Sequence, residues 1–277
     1  MYRNAIATLI AIITTVAFYP AHAALLPASM IDAVVALGAT VNTAQPGQPP
    51  KIEWVTLGTG FFYGYKIKDD PDATKREYEV YLVTAGHVVS EFKGSQQGDL
   101  LVRINSKDPT SLSKTFNIPF NPNARESTWA FHPRFDPTTV STVPDYDIAV
   151  VRLNGPTIKE LGVTFVENDE NAADVKKLKE IGASAGDAIF VLGFPMNLAG
   201  VQRNYVIVRK GIIARISEML NDKSTTFLLD SFIFPGNSGS PVIIKPEFTA
   251  IVGTPSNRTA YVIGVVHGYK TYPGYSS

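Results

Sequence analysis

The chain has 277 residues and carries equal numbers of basic and acidic side chains, 25 Lys plus Arg against 25 Asp plus Glu. Balanced charge without a Lys/Arg cluster argues against a basic surface that binds the phosphate backbone of DNA or RNA, so we expect no nucleic-acid partner. An apolar fraction of 45% predicts a globular protein with a sizeable core, and without cysteine that core has no disulfide to support it.

The first 23 residues have the pattern of a secretory signal peptide. Arg3 supplies a positive charge, residues 5–18 form an apolar core, and Ala21-His22-Ala23 is a small-x-small cleavage site. The alternative is an uncleaved membrane anchor, but an apolar core of about 14 residues is shorter than the roughly 20 that span a bilayer. We therefore expect export to a bacterial periplasm or out of the cell, with no stable membrane insertion after cleavage.

Two short features precede the main domain in the sequence. Apolar residues at helical spacing between Ser29 and Leu37 predict a short helix with Ser29 as its N-cap. Residues 45–50, Gln-Pro-Gly-Gln-Pro-Pro, predict a linker. The expected organisation is a signal peptide over 1–23, an N-terminal helix and linker over 24–50, and the main domain over 51–277.

From residue 51 onward, short runs rich in β-branched and aromatic residues alternate with Gly, Pro, Asn and Asp. These runs predict two groups of strands, near 54–57, 60–67, 78–84, 100–104, 129–132 and 148–153, and near 188–193, 206–216, 226–230, 242–244 and 261–267. The expected fold class is all-β, with two packed six-stranded-type β-barrels that divide near residues 155–185. A short helix is expected over 171–181 and a polar loop over 108–125.

Gly236-Asn237-Ser238-Gly239-Ser240-Pro241 surrounds one serine with small residues, where the backbone turns tightly and leaves N–H groups accessible. Ser238 is therefore a candidate nucleophile, and its hydroxyl needs a base within hydrogen-bond reach. Of the four histidines, His22 leaves with the signal peptide. His87 follows an apolar run and a glycine, so a strand end can present its imidazole to a cleft, whereas His132 is expected to be structural.

A carboxylate that orients the imidazole completes such a set. Asp147 directly precedes the apolar run 148–151, so its side chain is expected at the mouth of a buried sheet. Asp145 competes with it, because both side chains point to the same side of an extended segment. We favour Asp147 because it directly adjoins the buried run.

Thr84-Ala85-Gly86-His87, Asp147-Ile148-Ala149-Val150-Val151 and the Ser238 hexapeptide together resemble the trypsin-like serine peptidases, in particular their bacterial HtrA-like and V8-like branches. Residues 185–195 and 208–213 resemble strands next to the HtrA-like activation loops. The order His, Asp, Ser is that of the chymotrypsin fold. The α/β-hydrolases run Ser, Asp, His and use Gly-x-Ser-x-Gly, whose second glycine is replaced here by Ser240.

The resemblance implies a serine endopeptidase that acts on proteins or peptides without a cofactor. Ser238 would attack the scissile carbonyl, His87 would take and return the proton, and Asp147 would hold the imidazole tautomer. The backbone N–H groups of Gly236 and Ser238 would form the oxyanion hole. The sequence contains no metal- or nucleotide-binding motif. The competing hypothesis is a catalytically silent or conditionally active protein that binds peptides in a protease-like groove.

Departures from the family pattern bear on activation and specificity. Asn237 stands where digestive members carry the aspartate that pairs with a new N-terminus, so we expect no activation of that kind. Phe232 stands where trypsin-type enzymes carry the carboxylate for basic side chains, so an apolar residue is expected at the cleaved position. His267 suggests glutamate at the cleaved position as the alternative, because V8-like enzymes bind glutamate with a histidine near this place. His267 lies one residue after the position of that histidine, however, and a shift of one residue turns a strand side chain to the other face. We expect no peptide-binding PDZ domain after residue 238.

Overall fold

The computed structural model describes residues 26–90, 100–118, 129–136, 146–247, 252–253 and 255–268. The expected signal peptide and the competing residue Asp145 lie outside these ranges, as does part of the expected loop over 108–125. Within the described residues, no helix combines the length and the apolar character that crossing a bilayer requires.

The described residues form thirteen strands and six short α-helices. The strands are β1 (Val34–Asn42), β2 (Ile52–Lys68), β3 (Glu77–Thr84), β4 (Leu101–Ile104), β5 (Lys114–Asn117), β6 (Trp129–Phe131), β7 (Ala149–Arg152), β8 (Val166–Glu167), β9 (Ala188–Gly193), β10 (Ile207–Arg215), β11 (Leu228–Asp230), β12 (Pro241–Ile244) and β13 (Tyr261–Val265). The helices are α1 (Ala28–Asp32), α2 (Gly86–Ser90), α3 (Gly155–Leu161), α4 (Asn168–Asn171), α5 (Val175–Glu180) and α6 (Ser217–Leu220).

The strands divide into two sheets, one from each half of the chain. The first has the order β5-β4-β1-β2-β3-β7-β6, with β8 as a parallel partner of β2. The second has the order β11-β10-β9-β12-β13 and is antiparallel throughout. The two-part all-β architecture agrees with the sequence prediction. The described strands number eight and five, where the sequence predicted runs of six and five.

In the described part of the chain, three hydrophobic clusters pack within and between the two sheets. One lies within the first sheet around Phe62, and another within the second around Ile213. The third joins the two halves, because it contains Phe61 and Val83 from the first sheet together with Leu192 and Ile243 from the second. Burial of apolar side chains from both halves in one cluster fixes the sheets against each other, and β3 leads from this junction directly to His87.

The helix expected over 29–37 is wrong beyond its first turn. Helix α1 ends at Asp32, and Val34 begins β1, which lies between β2 and β4 in the first sheet. Residues 34–39 are buried on both faces, so they form a continuous apolar run whose periodicity does not distinguish a strand from a helix. Residues 45–50 therefore belong to the β1–β2 connection, and the main domain begins before residue 51.

The remaining differences concern short elements. The runs 54–57 and 60–67 are one long strand, β2, which continues through Gly58-Thr59-Gly60. Strand β5 forms inside the expected polar loop, where it pairs with β4. The helix expected over 171–181 is shorter, because only α5 (Val175–Glu180) forms within it. Helix α4 ends at Asn171, and the next residue, Ala172, is extended. Helices α2, α3 and α6 were not expected, because helices of four to seven residues leave little periodic signal.

Candidate active site

The pairing register of β3 and β7 brings His87 and Asp147 together. Thr84 at the end of β3 is opposite Ala149 at the start of β7, so the residues just beyond these ends meet outside the sheet. His87 lies in the first turn of α2, and Asp147 lies two residues before β7. The antiparallel ladder therefore places an imidazole and a carboxylate that are 60 residues apart in sequence at one sheet end.

Asp147 binds the His87 residue through both of its oxygens. Oδ2 lies 2.5 Å from His87 Nδ1, and Oδ1 accepts the His87 backbone N–H at 2.8 Å. The Asp147 side chain is 1% exposed, whereas the imidazole is 25% exposed. A buried carboxylate beside Nδ1 favours the tautomer with its proton on Nδ1, which leaves Nε2 as the basic nitrogen.

Gly86 permits this close approach. A Cβ at position 86 would lie 3.0 Å from Asp147 Oδ1 and 2.9 Å from the ring of Phe135, closer than side chains ordinarily pack. The glycine of the Thr84-Ala85-Gly86-His87 motif therefore has a steric reason, since any side chain there would displace the carboxylate.

The turn that carries Ser238 packs against the same sheet end. Gly239 has φ +85°, and a Cβ there would lie 1.9 Å from Thr59 O and 3.1 Å from Ala85 N, two residues before His87. The Ser238 carbonyl accepts the Thr59 N–H at 2.8 Å, and the Gly239 N–H donates to Val266 O at 2.7 Å. Ser238 itself is half-buried. The nucleophile candidate thus lies between the two sheets, against the segment that supplies the candidate base.

Buried Thr59 supports this turn through its side chain. Its hydroxyl donates to Gly236 O at 2.7 Å and accepts the Phe194 N–H at 3.1 Å. The Thr59 carbonyl in turn accepts the hydroxyl of Thr84 at 2.7 Å. The Thr59 hydroxyl, from the first sheet, therefore supplies hydrogen-bond partners to two backbone groups of the second half. One of these bonds holds the Gly236 carbonyl in place.

The Pro235–Gly236 peptide is oriented so that the Gly236 backbone N–H can donate a hydrogen bond to a ligand. The Pro235 carbonyl accepts the Met196 N–H at 2.7 Å. No peptide bond in the described chain is cis, so the Gly236 N–H points away from Met196. Gly236 has φ +94°, which favours glycine. Within the described residues, neither the Gly236 nor the Ser238 N–H donates to a protein acceptor, so both are available to a ligand.

Asn237 is fully buried and its polar groups are used inside the turn. Its N–H donates to Phe234 O at 3.0 Å, Oδ1 accepts the Phe234 N–H at 3.3 Å, and Nδ2 lies 3.5 Å from Ser240 Oγ. A neutral amide therefore closes the turn locally, in the place where a carboxylate would need a charged partner. This supports the expectation that no new N-terminus is needed to order the turn, which stays a prediction.

The two residues expected to shape the specificity pocket lie in different places. Phe232 is 75% exposed and borders a shallow cavity of about 420 Å³ with Lys210 and Asp230. His267 lines a separate cavity of about 1030 Å³ that extends from Asp147 along the interior of the second sheet, past Ile233 and Val265. The structure thus places Phe232 at an open rim, and places His267 on the larger, mainly apolar space beside Asp147.

His132, expected to be structural, also borders the larger cavity. Its ring stacks on Tyr146 with centroids 4.4 Å apart, and its Nδ1 accepts the Arg134 backbone N–H at 3.2 Å. Among the described residues, no cluster of three or more His, Asp or Glu side chains is arranged to hold a metal ion.

Sequence reasoning did not find Thr59, Met196 and Asn197, although each contacts the site or its support. Thr59 is one small residue in a glycine-rich part of β2, and its partners are 135 and 177 residues away. Met196 and Asn197 follow Phe194-Pro195 and have positive φ angles, a conformation with only a weak sequence signal at a methionine.

Comparisons with known proteins identify a family for this chain. The family model of the trypsin-like peptidase domain matches residues 58–248, a span that contains His87, Asp147 and Ser238. The crystal structure of Deg5 is similar at 14% sequence identity and a TM-score of 0.41, with 78% of this chain and 76% of the Deg5 chain covered. No curated protein sequence matches significantly. The family match covers well over half of the chain, so this protein belongs to the trypsin-like peptidase family.

Proposed function

We propose that this protein is a serine endopeptidase that hydrolyses peptide bonds through Ser238, His87 and Asp147. The observation that carries the proposal is the Asp147–His87 pair, joined by two hydrogen bonds. This pair lies next to a serine turn in which two backbone N–H groups have no acceptor among the described residues. An orienting acid, a base and a nucleophile between two packed sheets are the parts that acyl transfer needs.

In the proposed reaction, Nε2 of His87 removes the Ser238 proton as Oγ attacks the scissile carbonyl. The developing oxyanion accepts hydrogen bonds from the N–H groups of Gly236 and Ser238, a contribution of about 3 kcal/mol per donor in related sites. The imidazolium then protonates the leaving amine, and an acyl-enzyme on Ser238 remains. Water, deprotonated by His87, releases the acid product and restores the serine.

Ser238 Oγ makes no hydrogen bond to another described residue. Catalytic hydrogen bonds are often long without substrate and shorten in the Michaelis complex, so this arrangement is compatible with an active resting enzyme. It is equally the feature that a conditionally active or silent peptide-binding protein would show. That protein is the second candidate.

We further propose that the substrate is a protein or peptide met outside the cytoplasm, in a bacterial periplasm or the medium, after removal of residues 1–23. An apolar side chain at the cleaved position is our first choice, because the cavity lined by Ile233, Val265 and Val266 is mainly apolar. His267 on the same cavity keeps glutamate as the alternative.

Labelling by a fluorophosphonate probe tests the proposed nucleophile. The wild-type protein without residues 1–23 is expected to be labelled covalently, Ser238→Ala is expected to show no labelling, and His87→Ala is expected to react far more slowly. Ser240→Ala is a matched control, because it removes the other serine of the same turn and leaves Ser238 in place. Absence of Ser238-dependent labelling, in the presence and absence of unfolded protein substrates, would favour the peptide-binding alternative.

A further inference from the structure

The loop between β9 and β10, residues 194–206, contains two consecutive non-glycine residues in the left-handed region. Met196 has φ +54° and Asn197 has φ +59°. Left-handed backbone is unfavourable for most non-glycine residues and persists only where surrounding contacts hold it. Such strain directly beside a candidate active site calls for contacts that impose it, and the structure contains them on both sides of the loop.

On one side, the loop is hydrogen-bonded to the turn that carries Ser238. Met196 donates its N–H to Pro235 O at 2.7 Å, and this bond sets the orientation of the Pro235–Gly236 peptide. The fit is close, since a Cβ at Gly236 would lie 2.4 Å from Phe194 O and 3.4 Å from Met196 N. Rotation of this peptide would break the Met196 bond and turn the Gly236 N–H away from its present direction.

On the other side, the loop is tied to the first sheet through Asn197. Its Oδ1 accepts the backbone N–H of Thr56, in β2, at 2.6 Å. The Thr56 hydroxyl accepts the indole N–H of Trp54 at 2.8 Å. Asparagine suits this position because it tolerates left-handed φ and offers a short side-chain acceptor.

A second tie comes from Arg103 in β4, which is only 3% exposed. Its guanidinium donates to the carbonyls of Gly200 and Val201 at 2.9 and 3.0 Å and lies over the Trp54 ring. Asn204, also buried, donates to the Arg103 carbonyl at 2.6 Å. The Arg103 guanidinium donates to backbone carbonyls of the loop and not to a carboxylate. Its contribution is therefore to hold the loop backbone in position.

We propose that Asn197 and Arg103 are positioning residues for the oxyanion hole. Asn197, within the loop over 194–206, and Arg103, in β4, attach this loop to the first sheet and so hold Met196 in place. Met196 in turn holds the Pro235–Gly236 peptide so that the Gly236 N–H faces the reacting carbonyl. This inference rests on the proposed peptidase function. It assigns Asn197 and Arg103 as positioning residues, since neither touches the reacting atoms.

A pair of substitutions at one position separates the hydrogen bond from the backbone strain. Asn197→Gly keeps the left-handed backbone accessible and removes the acceptor for Thr56 N–H, whereas Asn197→Asp retains an acceptor oxygen. Asp222→Gly is the control, because Asp222 is a non-glycine residue with φ +57° and lies outside the loop and the site. Arg103→Lys tests the second tie.

The readout compares an N-acyl leucine aryl ester with its thionoester, whose sulfur accepts hydrogen bonds poorly and so gains little from the oxyanion hole. Asn197→Gly is expected to lower kcat for the ester by about 10- to 100-fold, with KM little changed and a much smaller loss for the thionoester. Asn197→Asp should recover most of the rate, Asp222→Gly should match the wild type, and Arg103→Lys should lower the ester rate as Asn197→Gly does.

Equal losses for both substrates, or no loss in Asn197→Gly, would overturn the positioning role. A wild-type protein that hydrolyses neither substrate and is not labelled at Ser238 would instead contradict the proposed function. The two failures are therefore distinguishable in one set of measurements.

Discussion

Asp147 holds His87 at two points, with Oδ2 2.5 Å from the ring nitrogen Nδ1 and Oδ1 accepting the backbone N–H at 2.8 Å. One contact orients the imidazole and the other fixes the first turn of α2 that carries it. Because the carboxylate is almost fully buried, water competes little for either oxygen. The protein itself therefore fixes the relative position of the imidazole and the carboxylate.

Replacing Asp147 by asparagine should separate its two contacts. The amide oxygen can still accept the His87 N–H, but the amide NH2 would face Nδ1 and favour the wrong imidazole tautomer. We expect kcat to fall by about 10⁴-fold at neutral pH while the fold is retained. Steady-state kinetics with circular dichroism checks this, and an Asp147→Asn variant with near wild-type kcat would exclude Asp147 as the orienting acid.

Gly239→Ala should destabilise the protein strongly. The added Cβ would meet Thr59 O at 1.9 Å and Thr84 Oγ1 at 2.3 Å, in a backbone conformation that already disfavours alanine. We expect a loss of more than about 3 kcal/mol in the free energy of unfolding. Gly186→Ala is the matched control, because φ is +99° there and no atom lies within 4 Å of the added Cβ. If urea denaturation gave equal losses for the two variants, close packing at Gly239 would not be the cause.

Thr59→Val should reduce both stability and activity. The substitution keeps the side-chain shape but leaves Gly236 O and Phe194 N–H without their shared partner. We expect a loss of about 3 kcal/mol in unfolding free energy, together with a lower kcat because Gly236 is less firmly held. Thr84→Val, equally buried, removes only the donor to Thr59 O and should cost about 1 kcal/mol. A smaller loss in Thr59→Val than in Thr84→Val, measured by chemical denaturation, would contradict this account of the turn.

The carboxyl of Asp108 should titrate at unusually low pH. The Ser111 hydroxyl, the Thr110 hydroxyl and the Thr110 backbone N–H all donate to it and lower its pKa to about 2. Because this pKa is below that of the unfolded chain, the contribution to stability is complete above about pH 4 and is lost as pH falls through 2. Carbon-detected NMR titration should show this pKa, and Ser111→Ala should raise it. A wild-type pKa near 4 would mean that these hydrogen bonds do not persist in solution.

Much of the candidate site could be proposed from sequence because its residues occur in local motifs. His87, Asp147 and Ser238 each adjoin a strand or a turn whose small residues are visible in sequence, and their order along the chain separates this fold from the α/β-hydrolases. The strands β9, β10 and β12 were also located closely, because each combines β-branched residues with a flanking Gly, Pro or charged segment.

The wrong assignments of secondary structure fell on segments in which polar and apolar residues do not alternate as they do in a half-buried strand. Strand β1 was expected to be a helix because both of its faces are covered, and β5 was expected to be a loop because its residues are mostly polar and exposed. In each case the pairing partner, β2 or β4, decides the conformation of a segment whose own composition is ambiguous.

By itself, the sequence determined the all-β class and the three residues of the proposed reaction, because these depend on side-chain chemistry and on short-range turn geometry. Only the tertiary structure decided what holds them. The β3–β7 register brings Asp147 to His87, Thr59 crosses between the sheets to Gly236, and the 194–206 loop connects the first sheet to the Pro235–Gly236 peptide. These contacts join residues 60 to 177 positions apart, and such pairings become defined only when the two sheets pack on a common core.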